Sequence, residues 1–282
     1  MTSGHNYTFG DNDRASQRLR WLAQLYEPEA RELLERHGTR SARLAVDLGC
    51  GPGWSTALVR DVLHPCRTVG LDASERFVAE ARRNHGKAIE FAMHDITSVP
   101  FPPGAPDLLF CRFLLTHLRQ LDGVLAAWAS AAAPGARLLV HETERLEAEH
   151  PSLQRYYDLV GELQAHHGQA LNVGTELEAC FAGTPWRLVH SESRPLEKPA
   201  PAMSELHLAN LRTWREQEYA RRSFDSRDLD RLEIALERIA NGAEDGGKIV
   251  NVARQIVAEL PTTYLGQRHA RGCHAGSERV CR

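Results

Sequence analysis

The chain contains no run approaching the roughly 20 consecutive apolar residues that a membrane-spanning helix requires. Its opening stretch, MTSGHNYTFGDNDRASQR, is polar and carries no apolar signal core. A cytoplasmic protein without a membrane partner is the expectation. Cysteine is sparse and scattered, at Cys50, Cys66, Cys111, Cys180, Cys273 and Cys281. None forms C-x-x-C, and no His/Cys set has zinc-site spacing, so free thiols and no metal are expected. His166-His167 resembles a metal pair but has no further ligands at suitable spacing. An excess of one charge is missing too: 34 Lys and Arg against 37 Asp and Glu leave a net charge of -3. Non-specific nucleic-acid binders carry a basic face, so no nucleic-acid partner is expected. Internal repeats and coiled-coil periods are also lacking.

What is present is ordinary globular composition. The 282 residues are 42% hydrophobic and 25% charged, enough to bury a full core in one large domain or two small ones. Residues 12–38 are rich in helix formers, with few breakers before Gly38, and read as helical. Residues 42–48 (ARLAVDL) read as a buried strand, and Trp54, Leu58 and Val62 follow at helical spacing. Further strands are expected at 66–71, 89–93, 107–111 and 137–141. Between them, Ser74 caps a helix carrying Phe77, Val78 and Ala81, and Leu114 to Trp128 forms one long apolar helical stripe. Strands alternating with helices imply βαβ units and a parallel sheet. Beyond residue 145 the pattern predicts helices at 150–182, 203–221 and 226–240, with strands at 186–193 and 249–257.

The most informative stretch is Val46-Asp47-Leu48-Gly49-Cys50-Gly51-Pro52-Gly53, where a strand ends, glycines turn the chain and a helix begins. A helix N-terminus presents unpaired N–H groups to polar ligand atoms. A dinucleotide fingerprint requires a third glycine where this chain has Trp54. Asp72 ends the second strand, with Ala73 beside it; a carboxylate there accepts hydrogen bonds from two ribose hydroxyls. That position is shared with NAD enzymes and points to a nucleoside rather than to one cofactor.

The sequence D-L-G-C-G-P-G resembles motif I of class I S-adenosylmethionine-dependent methyltransferases, and the resemblance covers about residues 42–143. It implies that Asp47, Gly49, Cys50, Gly51 and Gly53 form the turn around the methionine and ribose parts of S-adenosylmethionine. It implies that Asp95, flanked by His94 and Ile96, accepts from the adenine amino group, and that Cys111-Arg112 lies at the methionine end. The N-terminal segment is similar to small-molecule methyltransferases in which Tyr7 and Arg18 would belong to a lid, with Arg18 reaching the cofactor carboxylate.

A sulfonium already activates its methyl group, so the protein must align an acceptor and exclude water. An oxygen or carbon acceptor also has to lose a proton. His141, His117 and Glu142 are the candidate bases, His141 and Glu142 because ligands bind outside the carboxyl ends of strands. Adenine and cytosine methyltransferases carry an (Asp/Asn)-Pro-Pro-(Tyr/Phe) sequence where this chain has Cys111-Arg112-Phe113-Leu114, which speaks against base methylation. Asn210 shares a helix face with Met203, Leu206 and Trp214, and with Tyr157 and Trp214 it is a candidate for binding the acceptor.

The expectation is therefore an α/β, Rossmann-like, doubly wound and mostly parallel seven-stranded sheet with an added helical cap. Residues 1–40 would form a helical lid, 41–145 the cofactor-binding core, 146–260 the cap and last strands of the same domain, and 261–282 a disordered tail. The function expected is transfer of a methyl group from S-adenosylmethionine to an O, N or C atom of a small molecule, of natural-product type. An NAD(P)-dependent oxidoreductase and a non-catalytic S-adenosylmethionine-binding protein are the alternatives, and the pattern leaves room for a homodimer.

Overall fold

The structure, a computed structural model, describes residues 13–264. Tyr7 and most of the expected tail lie outside the described residues. Seven strands form one sheet in the order β3-β2-β1-β4-β5-β7-β6. They are β1 (Leu44–Leu48), β2 (Arg67–Asp72), β3 (Glu90–Met93), β4 (Leu108–Arg112), β5 (Arg137–Ala148), β6 (Arg187–Lys198) and β7 (Ile249–Glu259). β1 to β5 run parallel, and β7 is antiparallel to both of its neighbours.

β1 is buried along its whole length, as a central parallel strand with helices on both faces must be. The period of two then sorts β4: Leu108 and Phe110 pack on one face with Leu33, Leu34 and Val59, and Leu109 and Cys111 on the other with Leu125 and Trp128. The helices supplying those residues are α2 (Glu27–His37), α3 (Trp54–Leu63) and α5 (Leu121–Ala131). α4 (Glu75–His85) starts at Ser74, whose hydroxyl accepts from the Phe77 amide at 3.2 Å.

Several expected elements divide. The N-terminal stretch is two helices, α1 (Asp13–Leu25) and α2, because Pro28 has no amide to continue a helix and opens a new one. They also part company in space. α1 packs on the cap, whereas α2 belongs to the helical layer of the sheet rather than to a lid. The stripe from Leu114 to Trp128 is broken: Phe113 and Gln120 adopt left-handed backbone around a 3-10 turn, Leu115–His117, and only α5 is a regular helix. The segment 150–182 becomes α6 (Pro151–His166), a 3-10 turn and α7 (Leu177–Phe181). The segment 203–221 becomes α8 (Ala200–Trp214) and α9 (Glu218–Ser223), followed by α10 (Ser226–Ala240).

β5 continues to Ala148, well past the expected residue 141, because β7 pairs with it throughout despite a register shift between Thr143 and Arg145. The far halves of β5, β6 and β7 thus extend beyond the parallel strands. α6, α8 and α10 gather there around a second core of Leu153, Leu163, Leu211, Trp214 and Leu236. Among the described residues, no helix is long and apolar enough to cross a membrane.

Candidate functional site

The chain leaves β1 through three glycines in left-handed conformation, Gly49, Gly51 and Gly53, with φ of 67°, 51° and 91°. Two have no room for a side chain. A Cβ on Gly49 would stand 2.5 Å from Leu114 Cδ1, and one on Gly53 would stand 2.9 Å from Phe91 Cζ. The turn is thus fixed by both backbone angle and close approach.

Two carboxylates brace it. Asp72, at the end of β2, accepts the Gly51 amide on Oδ2 and the Ser74 amide on Oδ1, both at 2.8 Å. Asp72 also lines the cavity. Asp47 is almost fully buried beneath the turn, and its Oδ2 accepts from Ser55 and Thr56 at 2.7 Å each. Burial pushes its pKa up to about 6, against the pull of those two hydroxyls. Its Oδ1 has no hydrogen-bond partner among the described residues. Asp47 does not line the cavity; it holds the start of α3 in place.

That cavity, of about 1090 Å³, is lined by residues from the glycine turn to the cap. Gly49, Cys50, Gly51, Asp72, Ala73, Asp95, Ile96 and Arg112 line it, as does Arg18, which lies close enough to His117 and Tyr156 to act on both. Asp95 Oδ1 accepts from Thr97 N at 3.0 Å and Thr97 Oγ1 at 2.7 Å, and Trp128 Nε1 holds the Ile96 carbonyl at 2.8 Å. Together these bonds fix the loop after β3. Besides Asp47, three residues expected at the cofactor end lie off the surface. Gly53 works only through the backbone turn. His94 places Nε2 2.9 Å from the Ser98 carbonyl instead of on the cavity. Cys111 is wholly buried in the strand, and burial raises its thiol pKa well above the usual range, as it does for Cys50.

Arg112 donates to the Tyr26 carbonyl at 3.3 Å; burial lowers its pKa, opposed by Asp47, Glu27 and Glu29. Arg18 is buried on α1. α1 itself is tied to the sheet domain by Ser16, which donates to Glu80 at 2.5 Å, and by Arg20 over the Trp54 ring at 5.3 Å. Trp54, standing where a dinucleotide fingerprint has glycine, also lines the cavity.

The base assignments change with the geometry. His141 is fully buried inside the sheet and does not line the cavity. Its Nδ1 lies 3.3 Å from Gln255 Nε2, and burial drives its pKa down to about 3, aided by Arg112, Lys198 and Arg194. A ring so placed neither reaches an acceptor nor holds a proton at neutral pH. Glu142 is also sealed from the cavity. Its Oε1 accepts the Leu114 and Leu115 amides at 2.7 Å each, clamping the turn after β4, and burial raises its pKa to about 8. Of the three candidates only His117 lines the cavity, with its pKa lowered to about 4 by burial and by nearby Arg18.

At the cap end the structure brings Asn210 to the cavity but not Tyr157 or Trp214. Trp214 is a fully buried core residue of the cap. Tyr157 borders a smaller side pocket of about 390 Å³, with its hydroxyl 3.1 Å from His207 Nε2. Tyr156, Gln164, His207 and Asn251 line the main cavity and were not singled out from the sequence. Tyr156, Val160 and Gln164 recur every four residues on α6, a spacing that marks one helix face. Asn251 lies on β7, far away in sequence, and carries no such signal.

A family model described as a methyltransferase domain matches residues 46–140. The trans-aconitate 2-methyltransferase of Methylobacterium nodulans is 37% identical over 142 residues, which is 50% of this chain and 54% of that protein. The chain therefore spans about half the length of the curated relatives it matches. In structure it resembles phosphoethanolamine N-methyltransferase 2 of Haemonchus contortus, with TM-score 0.54, 17% identity, and coverage of 90% of this chain and 60% of the other. It also resembles geranyl diphosphate C-methyltransferase of Streptomyces coelicolor, with TM-score 0.51, 14% identity, and coverage of 89% and 88%. The glycine cradle and the Asp72 carboxylate, both on the cavity, fit S-adenosylmethionine. Over residues 46–140 the chain thus matches a methyltransferase domain, and its fold is the Rossmann-like one of those solved structures.

Proposed function

We propose that the protein transfers a methyl group from S-adenosylmethionine to an oxygen, nitrogen or carbon atom of a small molecule. The observation that carries this reading is the single cavity joining the glycine turn to the cap. Ligand pockets for one drug-sized molecule span about 300–1,000 Å³. A cavity of about 1090 Å³ suits a cofactor and an acceptor together.

Bound there, the cofactor supplies a methyl group already activated on a sulfonium. Asp72 receives the ribose hydroxyls, Asp95 the adenine amino group, and Arg18 the carboxylate. α1 and the cap helices exclude water, which strengthens each polar contact inside. Alignment rather than proton removal is the main contribution, since His141 and Glu142 are structural and His117 is a weak base. His117 is a neutral hydrogen-bonding neighbour of the acceptor. The relatives' acceptor, trans-aconitate, is a carboxylate that needs no base; the known neighbours named for N- and C-methylation show that one fold serves several acceptor atoms. A cytoplasmic setting, which keeps thiols such as Cys50 and Cys111 reduced, fits this reading.

Calorimetry with S-adenosylhomocysteine and NAD tests the proposal. S-adenosylhomocysteine should bind and NAD should not. Asp72→Ala should weaken binding by about tenfold or more, since bonds to a charged acceptor contribute about 1.5–3 kcal/mol. NAD binding in preference to S-adenosylhomocysteine would overturn the reading in favour of an oxidoreductase.

A further inference from the structure

One residue of the cavity wall is held in a conformation that its type disfavours. Among the described residues, the non-glycines with left-handed backbone are His64, Phe113 and Gln120, and of these Phe113 alone lines the cavity. A bulky side chain at φ 52° is strained, and a glycine there is not. β5 keeps Phe113 in place. Its amide donates to the His141 carbonyl at 3.0 Å, and the next two amides donate to Glu142 at 2.7 Å each. The ring is gripped as well. It meets Tyr26 at 4.9 Å and His141 at 5.3 Å between centroids, both in T-shaped contacts. His141, with its pKa driven down to about 3 by burial, brings no charge to that contact at neutral pH. Such strain persists where the surroundings enforce it, and it clusters at ligand sites. What the fold keeps at this position is an aromatic ring.

The order of the strands says what the ring faces. Ligands of open α/β sheets lie outside the carboxyl ends of the strands. From the β3 edge inward, the cavity meets Asp95 after β3, Asp72 on β2, Gly49 after β1, Phe113 after β4, Thr143 on β5 and Asn251 on β7. Neighbouring strands stand about 4.8 Å apart, so a ligand laid along this edge meets those residues in that sequence. With adenine at Asp95 and ribose at Asp72, the sulfonium comes next, past the glycine turn and before the cap. Leu114 presses on Gly49 and ties the segment after β4 to that turn.

A sulfonium carries a full positive charge, and the face of an aromatic ring attracts a cation. The other phenyl, phenol and indole rings on the cavity are engaged or stand elsewhere. Arg20 lies over Trp54 at 5.3 Å and Lys198 over Tyr26 at 4.5 Å, while Tyr156 stacks on His207 in the cap. Phe77 belongs to α4, which follows Asp72 at the nucleoside end. Arg112 reaches the Phe113 ring only at 6.0 Å, the outer limit of such a contact, and donates to the Tyr26 carbonyl.

We infer that Phe113 reads the sulfonium, its ring binding the positive charge of S-adenosylmethionine and giving nothing comparable to the neutral sulfur of S-adenosylhomocysteine. The inference rests on the methyl-transfer reading and deepens it: the wall favours the charged donor over the spent product, which eases their exchange.

The test measures binding of both molecules to the full chain by calorimetry, with no acceptor present. Phe113→Leu should weaken S-adenosylmethionine about five- to thirtyfold, the range for a desolvated cation–π contact, and leave S-adenosylhomocysteine unchanged. Phe113→Gly, which relieves the backbone, should show the same selective loss. Phenylalanines of increasing fluorination, incorporated at Phe113, keep the ring in place while draining charge from its face. They should weaken S-adenosylmethionine stepwise and leave S-adenosylhomocysteine unchanged. Equal losses for the two molecules, an unchanged affinity for S-adenosylmethionine, or a selective loss indifferent to fluorination would overturn the inference alone. Failure of the unsubstituted chain to bind either molecule would instead remove the methyl-transfer reading, and the inference with it.

Discussion

The two ends of the cavity are built by opposite means. At the cofactor end, contiguous stretches do most of the work: residues 47–55 supply the turn and its brace, and residues 72–74 supply the carboxylate and its anchor. At the cap end, the polar groups come from α6, α8 and β7, which are separated by two or more intervening elements. At the cofactor end each braced carboxylate holds backbone or hydroxyl donors, with Asp47 Oδ1 alone of their four oxygens left without a partner among the described residues. The cap end leaves acceptors open. Under the proposed function, the cofactor is thus met by a preformed, hydrogen-bonded frame, and the acceptor by groups that wait for a partner.

The largest test of that contrast is Gly49→Val. A β-branched residue at φ 67°, with Leu114 pressing on the Cβ position, cannot hold the turn. Binding of S-adenosylhomocysteine should fall below calorimetric detection while the cap core stays folded by near-ultraviolet circular dichroism. Retained affinity would mean that the turn is not the cofactor's seat.

Arg18→Ala comes next, because α1 spans both ends. If Arg18 pairs with the cofactor carboxylate, the dissociation constant should rise about ten- to a hundredfold, as expected for a lost charge-assisted bond. An unchanged constant would return Arg18 to the acceptor side or to a structural role.

The histidines give a smaller effect. His117→Ala should lower turnover by less than about tenfold, since a ring with pKa near 4 is a poor base at neutral pH. A loss of a hundredfold or more would make His117 a true general base and refute alignment as the main mechanism. His141→Ala, made alongside it, should destabilise the sheet and leave the affinity for S-adenosylhomocysteine intact.

Glu142→Gln should give the smallest change, visible only through pH. Burial lifts the Glu142 pKa from 4.5 to about 8, so the native chain keeps a proton that the unfolded chain releases. Its contribution to stability is full below pH 4.5 and is lost as the pH rises through about 8. Glutamine preserves both amide bonds, because both fall on Oε1. The variant should therefore match the parent in thermal midpoint at pH 5 and exceed it at pH 9. Equal midpoints at both values would show that the carboxyl is not held neutral.

The same contrast explains what could be read from the amino-acid sequence. Asp47, the glycines and Asp72 were legible because their spacing along the chain is itself the geometry of a strand, a turn and a helix start. Asn210 was legible in part, since α8 places it on one face with Met203 and Leu206. His141 misled because the end of a strand is ordinarily open, whereas here β5 continues to Ala148 and β7 covers it. The stripe from Leu114 to Leu121 misled for a different reason. Its apolar spacing is helical, but Phe113 and Gln120 take left-handed backbone that periodicity does not register. Gln164 and Asn251 meet only in three dimensions, through α6 and β7.

The long antiparallel extension of β5, β6 and β7 has an evolutionary consequence. The helices of the cap enter and leave the fold on those strands alone, away from the parallel strands that carry the glycine turn. Substitutions on α6, α8 and the outer half of β7 can therefore remodel the acceptor chamber while the cofactor frame stays under separate selection. Under the proposed function, a lineage can drift from one acceptor to another without passing through a form that has lost its methyl donor.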